Sequence, residues 1–177
     1  MKAIHAAVQL RAPVRGDFAF LTALRNDPSL QRQLLLRIAA YSPNEVRAWL
    51  RRRMRDPHGA FFVIAVPDDR PLGFVQLTQM DSVNGTADFG ICLGVESQGR
   101  GVAVAALKLL EARARREFKL RKLTLRVLTT NRRAIAFYRK AGFCEVGAWR
   151  RHFLQDGKFR DVLLMEKFIR VSKGGGG

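Results

Sequence analysis

Two rhythms of hydrophobic and polar residues run along the chain, and each change of rhythm marks an element. "AVQLRAP" reads as a short strand, and "VRGDFAFLTALRNDP" sets Phe18, Leu21 and Leu24 along one side of a helix that Pro28 ends. "SLQRQLLLRIAA" has a helical pattern too. "SPNEVRAWLRRRMRD" opens with Ser42 as N-cap, Pro43 at the first helical position and Glu45 three residues after the cap, a capping box. Its Val46, Trp49, Leu50 and Met54 form the apolar stripe, with Arg47, Arg51, Arg52 and Arg55 mostly off it. "AFFVIAV" and "PLGFVQLTQM" are β-rich runs around the turn "PDDR", and "SVNG" turns into a third, "TADFGICL". "VAVAALKLLEARARREF" returns to helical period, with apolar residues at 102, 106, 109 and 110. "KLTLRVLT" alternates as a strand with Leu123, Leu125 and Val127 on one face. "NRRAIAFYRKAG" is a short helix between Asn131 and Gly142, and strands at "FCEVGAWRRHFL" and "FRDVLLMEKFI" meet at the turn "QDG". The order is strand, helices, three strands, helix, strand, helix, two strands: a mixed α/β (α+β) domain with a central meander.

Composition narrows this to one domain, residues 1–172, since 177 residues with 47% hydrophobic content make one substantial core. Residues 173–177 read as a flexible glycine-rich tail. No apolar run reaches the roughly 18 residues of a membrane span, and the first residues lack a signal-peptide pattern, so the expectation is a cytoplasmic protein with no membrane partner. Cys92 and Cys144 have no metal-ligand spacing; both read as buried strand thiols, and neither a metal nor a disulfide is expected. The net charge of +17, with 24 arginines against 8 lysines, favours phosphate-bearing partners. The basic residues spread from Arg11 to Lys173 without a nucleic-acid-binding signature, however, and a nucleic-acid partner is set aside.

Candidate chemistry centres on "ESQGRGVAVA". It is no Walker loop, because no GK[ST] follows, and no GxGxxG, because position 104 is Val104. What remains is a strand, a loop with Gly99 and Gly101, and a long helix whose first-turn amides can receive an anion.

"QGRGVA" also matches the Q/R-x-x-G-x-G/A signature of the GNAT N-acetyltransferases, and "NRRAIAFYRKAGF" resembles that family's second motif, N-x-x-A-x-x-x-Y-x-x-x-G-F. Residues 61 to 146 follow the family's order of elements. The resemblance implies a central mixed sheet of about six to seven strands flanked by helices, with acetyl-CoA as co-substrate at a splayed strand pair. It implies that backbone amides from Gly99 through Arg100, Gly101 and Val102 to Ala103, with Gln98 at the entrance, bind the pyrophosphate. Ile91, Cys92 and Leu93 would pair with the pantetheine arm like an added strand. Asn131 would bond that arm or cap the helix, and Arg100, Arg132, Arg133, Arg139 and Lys140 are placed to meet phosphates. Tyr138 is the expected proton donor to the departing thiolate. Asp88 is the first candidate for the base that takes the amine's proton, ahead of Glu96. His5, His58 and His152 receive no role.

The acceptor is a small-molecule or peptide amine. The sequence looks like the branch of ribosomal-protein alanine, spermidine and amino-sugar-nucleotide acetyltransferases. A polyamine needs clustered carboxylates, and few acids, Asp81, Asp88 and Asp156, fall near the expected cleft. Arg150, Arg151 or Arg160 could meet the phosphates of a nucleotide-linked amino sugar. That order puts the amino-sugar nucleotide first, a protein N-terminus second and a polyamine third. Outside the enzyme class stand a basic nucleic-acid-binding module and a domain that only binds the coenzyme. A strand-exchange homodimer is compatible with the fold.

Overall fold

The structure is a computed structural model that describes residues 7–169; the glycine-rich tail and His5 lie outside the described residues. Seven strands make one mixed sheet: β1 (Gln9–Arg11), β2 (Ala60–Ala65), β3 (Pro71–Asp81), β4 (Thr86–Leu93), β5 (Lys122–Leu128), β6 (Cys144–Gln155) and β7 (Lys158–Phe168). They lie in the order β1-β2-β3-β4-β5-β7-β6. All neighbouring pairs are antiparallel except β4 with β5. Among the described residues five α-helices accompany the sheet: α1 (Phe18–Asn26), α2 (Pro28–Gln31), α3 (Pro43–Arg55), α4 (Val102–Arg116) and α5 (Arg132–Lys140).

Each sheet face carries its own core because successive strand residues point to opposite sides. Val102, Ala106, Leu107 and Leu110 of α4 and Ile135 and Tyr138 of α5 pack with Leu123, Leu125 and Val127 on one face. On the other, Leu21 and Leu24 of α1 and Val46 and Trp49 of α3 pack with Phe61, Phe74 and Cys92. Trp49 meets Phe61 edge-on at 5.4 Å between ring centroids, and Phe61 stacks on Phe74 at 5.0 Å. The capping box forms as expected, with the Ser42 hydroxyl accepting from the Glu45 amide while the Glu45 carboxylate accepts from the Ser42 amide.

Several expectations change in detail. Pro28 ends α1 but also opens α2, where Asp27 accepts hydrogen bonds from the Ser29 and Leu30 amides. The helical pattern of "SLQRQLLLRIAA" gives helix only through Gln31. Side-chain amides take the backbone groups that a longer helix would use: Gln31 donates to the Arg25 and Ala39 carbonyls, and buried Gln155 of β6 donates to those of Gln31, Leu34 and Leu36. On α4, Leu109 is 38% exposed and Leu107 fills the packed position; on α3, Met54 is 55% exposed, off the buried stripe. Cys92 is buried as expected, but Cys144, on edge strand β6, is exposed.

Candidate active site

The parallel pairing of β4 with β5 covers only Thr86–Asp88 against Lys122–Thr124. Beyond Asp88, β4 pairs with β3 alone, out to Leu93 opposite Gly73. The two strands therefore part, and a cleft of about 340 Å³ opens between Ile91–Leu93 on one side and Arg126–Leu128 on the other. The unpaired edge of β4 offers backbone groups to an extended, amide-bearing ligand in the manner of a further strand.

At one end of the cleft the chain turns through Gly99 (φ 75°) and Gly101 (φ 79°), both left-handed. A side chain at either would be strained, although at Gly101 a Cβ would meet nothing within 4 Å. Gly101 caps α4 without a side-chain hydrogen bond, and the first return bond of the helix runs from the Ala105 amide to the Gly101 carbonyl at 3.1 Å. The amides of the first turn thus stay available at the positive end of the helix dipole, an arrangement that suits a pyrophosphate. Gln98 closes this end, donating to the Leu93 carbonyl at 3.1 Å and accepting from Arg133 at 2.7 Å.

Of the residues singled out from sequence, Ile91, Cys92, Leu93, Gln98, Gly99, Gly101, Ala103, Asn131, Arg133 and Tyr138 all line this cleft. Arg100 and Val102 do not: Arg100 is exposed outside it, and the Val102 side chain is buried in the core. Arg139 is likewise elsewhere, bound to Glu145. Asn131 divides its side chain between two structural tasks. Its oxygen accepts from the Ala134 amide at 3.1 Å, capping α5, and its amide donates to the Gln33 carbonyl at 3.0 Å.

Tyr138 is 7% exposed, edge-on to Phe89 at 6.2 Å and to Phe143 at 5.7 Å. Burial first, then the neighbouring Cys92, raises its phenol well above the ordinary value, so the group stays protonated across the working pH range. Burial likewise pushes the Cys92 thiol up to about 12, with Asp27 adding in the same direction.

Asp88 lies outside the cleft lining, and its carboxylate is engaged. One oxygen accepts from the Thr124 hydroxyl, and the other meets Arg126 at 2.9 Å. In this arrangement Asp88 anchors a guanidinium, and both of its carboxylate oxygens have partners. Glu96 is exposed beside the glycine loop and does not line the cleft.

Sequence reading missed Arg126, which lines the cleft two residues beyond the last β4–β5 pair and is 41% exposed. Its place in "KLTLRVLT", between Leu125 and Val127 of the inward face, signals only an outward strand position. Leu30, Gln33, Leu34 and Leu35, from α2 and the turns after it, form a further wall. Among the described lining residues the charged side chains are Arg126 and Arg133, and no carboxylate is present.

Residues 8–144 match the model of a family described as the acetyltransferase (GNAT) domain. The chain is 30% identical to a spermidine N(1)-acetyltransferase of Escherichia coli over 169 residues, 93% of this chain and 87% of that one. It is 25% identical to the spermidine N(1)-acetyltransferase of Vibrio cholerae over 174 residues, 96% of this chain and all of that one. A solved structure of spermidine N-acetyltransferase from Vibrio cholerae in complex with CoA and spermine superposes with a TM-score of 0.83 at 25% identity, covering 91% of this chain and 95% of that one.

Proposed function

The chain belongs to the GNAT acetyltransferases, a class of acetyl-CoA-dependent N-acetyltransferase, and on that premise we propose that its acceptor is a small primary amine of the polyamine type. The observation that carries the acceptor is the agreement of two relatives spanning nearly the whole chain, both spermidine acetyltransferases, with a similar structure holding CoA and spermine. This moves the polyamine from third place in the sequence ranking to first, ahead of the amino-sugar nucleotide.

The first-turn amides of α4 take the pyrophosphate of acetyl-CoA, with Arg133 beside them. The free edge of β4 at Ile91–Leu93 aligns the pantetheine arm, and the thioester comes to rest near the parting of β4 and β5. The amine attacks the acetyl carbonyl directly in a ternary complex, and the collapsing intermediate expels the thiolate. Tyr138, kept protonated by burial, donates to that sulfur. The attacking amine has to be neutral; with Asp88 tied to Arg126 and Thr124, its proton leaves through water at the open face of the cleft.

One observation favours a second reading: with Arg133 given to the pyrophosphate, the charged side chain left in the described cleft lining is Arg126, and no carboxylate accompanies it. That charge suits an amine bearing a phosphate or carboxylate, and the amino-sugar nucleotide keeps second place on it. Thiol release with spermidine, spermine and a uridine-diphosphate amino sugar separates the two. A polyamine enzyme gives spermidine the highest kcat/KM, and Arg126→Ala raises it further by removing a like charge. A higher kcat/KM for the nucleotide in the wild type, lost in Arg126→Ala, overturns the polyamine. Asp88→Asn is expected to lower activity without removing a limb of the pH–rate profile; loss of the acid limb would make Asp88 the base after all.

A further inference from the structure

One dense run of basic residues, Arg47 to Arg55, folds as a single helix, α3. Arg47, Arg51 and Arg55 stand at i, i+4 and i+8 and so share one stripe, at steps of about 6 Å along the axis. Arg52 and Arg53 flank it, and a shallow depression beside Trp49 is bordered by Arg51, Arg52, Arg53, Arg55 and Asp56. Among the described residues none of these five arginines forms an ion pair, whereas Arg11, Arg113, Arg126 and Arg139 each do. The two acids at the ends of the helix are occupied: Glu45 in the capping box and Asp56 with the His58 amide.

The folding of α3 accounts for only part of this stripe. Arg47 lies over the Phe18 ring at 4.6 Å and donates to Asn44 at 3.2 Å, while remaining exposed. Like charges at i, i+4 weaken a helix, and the helix dipole rewards cations only in the last turn, which leaves Arg51 without a structural reason. The apolar side of the helix, with Val46 and Trp49, is spent on the core, so α3 presents no hydrophobic band to a membrane surface. Arginines whose backbone positions rise in steps of about 6 Å, close to two nucleotides at about 3.4 Å each, suit alternate phosphates of one strand, which guanidinium recognises through paired N–H donors. We propose that the exposed face of α3 is a binding surface for the phosphate backbone of nucleic acid, separate from the acetyl-transfer cleft, with which that depression shares no lining residue. This surface stands apart from the acceptor assignment, and either can fail without the other.

The test uses the full chain and a fluorescein-labelled 20-nucleotide single-stranded RNA, followed by fluorescence polarisation from 50 to 300 mM KCl. The triple variant Arg47→Gln, Arg51→Gln, Arg55→Gln is expected to bind at least about tenfold more weakly at 100 mM KCl. Its slope of log K against log salt is expected to be about 2 units shallower, since each phosphate contact on a single strand contributes about 0.7. Thiol release from acetyl-CoA stays at the wild-type level, which shows that the variant is folded. A scattered, charge-matched variant, Lys108→Gln, Arg116→Gln, Arg150→Gln, reports the effect of net charge alone. Equal weakening in both variants overturns the surface, as does binding of phosphatidylserine vesicles or polyglutamate by the wild type with no binding of the RNA.

Discussion

Replacing Gly73 by alanine tests the central geometric claim, that the backbone of β4 at Cys92 and Leu93 is held in place to receive acetyl-CoA. Gly73 sits on β3 directly opposite Leu93. A Cβ there would lie 2.2 Å from the Cys92 carbonyl oxygen, 2.8 Å from Leu93 Cδ2 and 2.9 Å from Leu93 Cα. Ordinary contact begins at 3.4 Å, so β3 and β4 must separate locally by about 1.2 Å. Two of the three obstructing atoms are backbone, which rotamer changes cannot clear. Overpacking of this kind costs about 1–3 kcal/mol of stability, or a fall in Tm of roughly 2–4 °C per kcal/mol at this chain length. A displacement of about 1 Å at a binding surface costs roughly a hundredfold in rate, about 2.7 kcal/mol of transition-state stabilisation. Thiol-release kinetics should therefore show kcat/KM for acetyl-CoA falling about a hundredfold while the circular dichroism of the folded protein persists. Gly147→Ala, where a Cβ would meet nothing within 4 Å, should leave both unchanged. Wild-type acetyl-CoA kinetics in Gly73→Ala, within about twofold, would refute the assignment of this stretch of β4.

Tyr138→Phe removes one hydroxyl from a buried ring and is expected to lower kcat at least about tenfold, with acetyl-CoA affinity by calorimetry little changed; an unaltered kcat removes the proton-donor role. Alkaline stability follows from Cys92, whose thiol is raised from 9.0 to about 12 by burial. Above pH 9 the unfolded chain gives up this proton while the folded chain retains it, so stability is complete below pH 9 and declines as pH rises, by about 1.4 kcal/mol per unit. Tyr138 adds a decline of the same sign only above its ordinary value near 10. Urea unfolding of wild type and Cys92→Ala at pH 8, 9 and 10 should show the shallower slope in the variant, and identical slopes would contradict the burial of this thiol.

The elements with a strong rhythm were legible in the sequence. Ser42 and Glu45 announced α3, Asn131 announced α5, and the glycines at 99 and 101 announced the left-handed turn before α4, which demands that residue type. What stayed hidden depends on pairings between distant residues. The run "QLLLRIAA" has the composition of a helix, and its carbonyls are diverted by side chains both near it, Gln31 and Tyr41, and far along the chain, Asn131 and Gln155. The sequence does not single out Arg126, and Asp88 reads there as the first candidate for the base rather than as the partner of an arginine. That they bind one another, and that one of them faces the cleft, follows from the three-residue overlap of β4 and β5, which no local pattern encodes.

The amide of Gln155 reaches the carbonyls of Gln31, Leu34 and Leu36 across as many as 124 residues of sequence. Leu34 belongs to the wall of the candidate cleft, so that wall is fastened by a residue translated after both sequence motifs. During synthesis from the N-terminus, the glycine loop and α5 can be complete while this side of the cleft still lacks its latch. Because β6 joins the sheet only through β7, a growing chain would gain its full hold on the coenzyme only after both strands have left the ribosome, and chains truncated before residue 155 would carry both sequence motifs but an unfastened cleft.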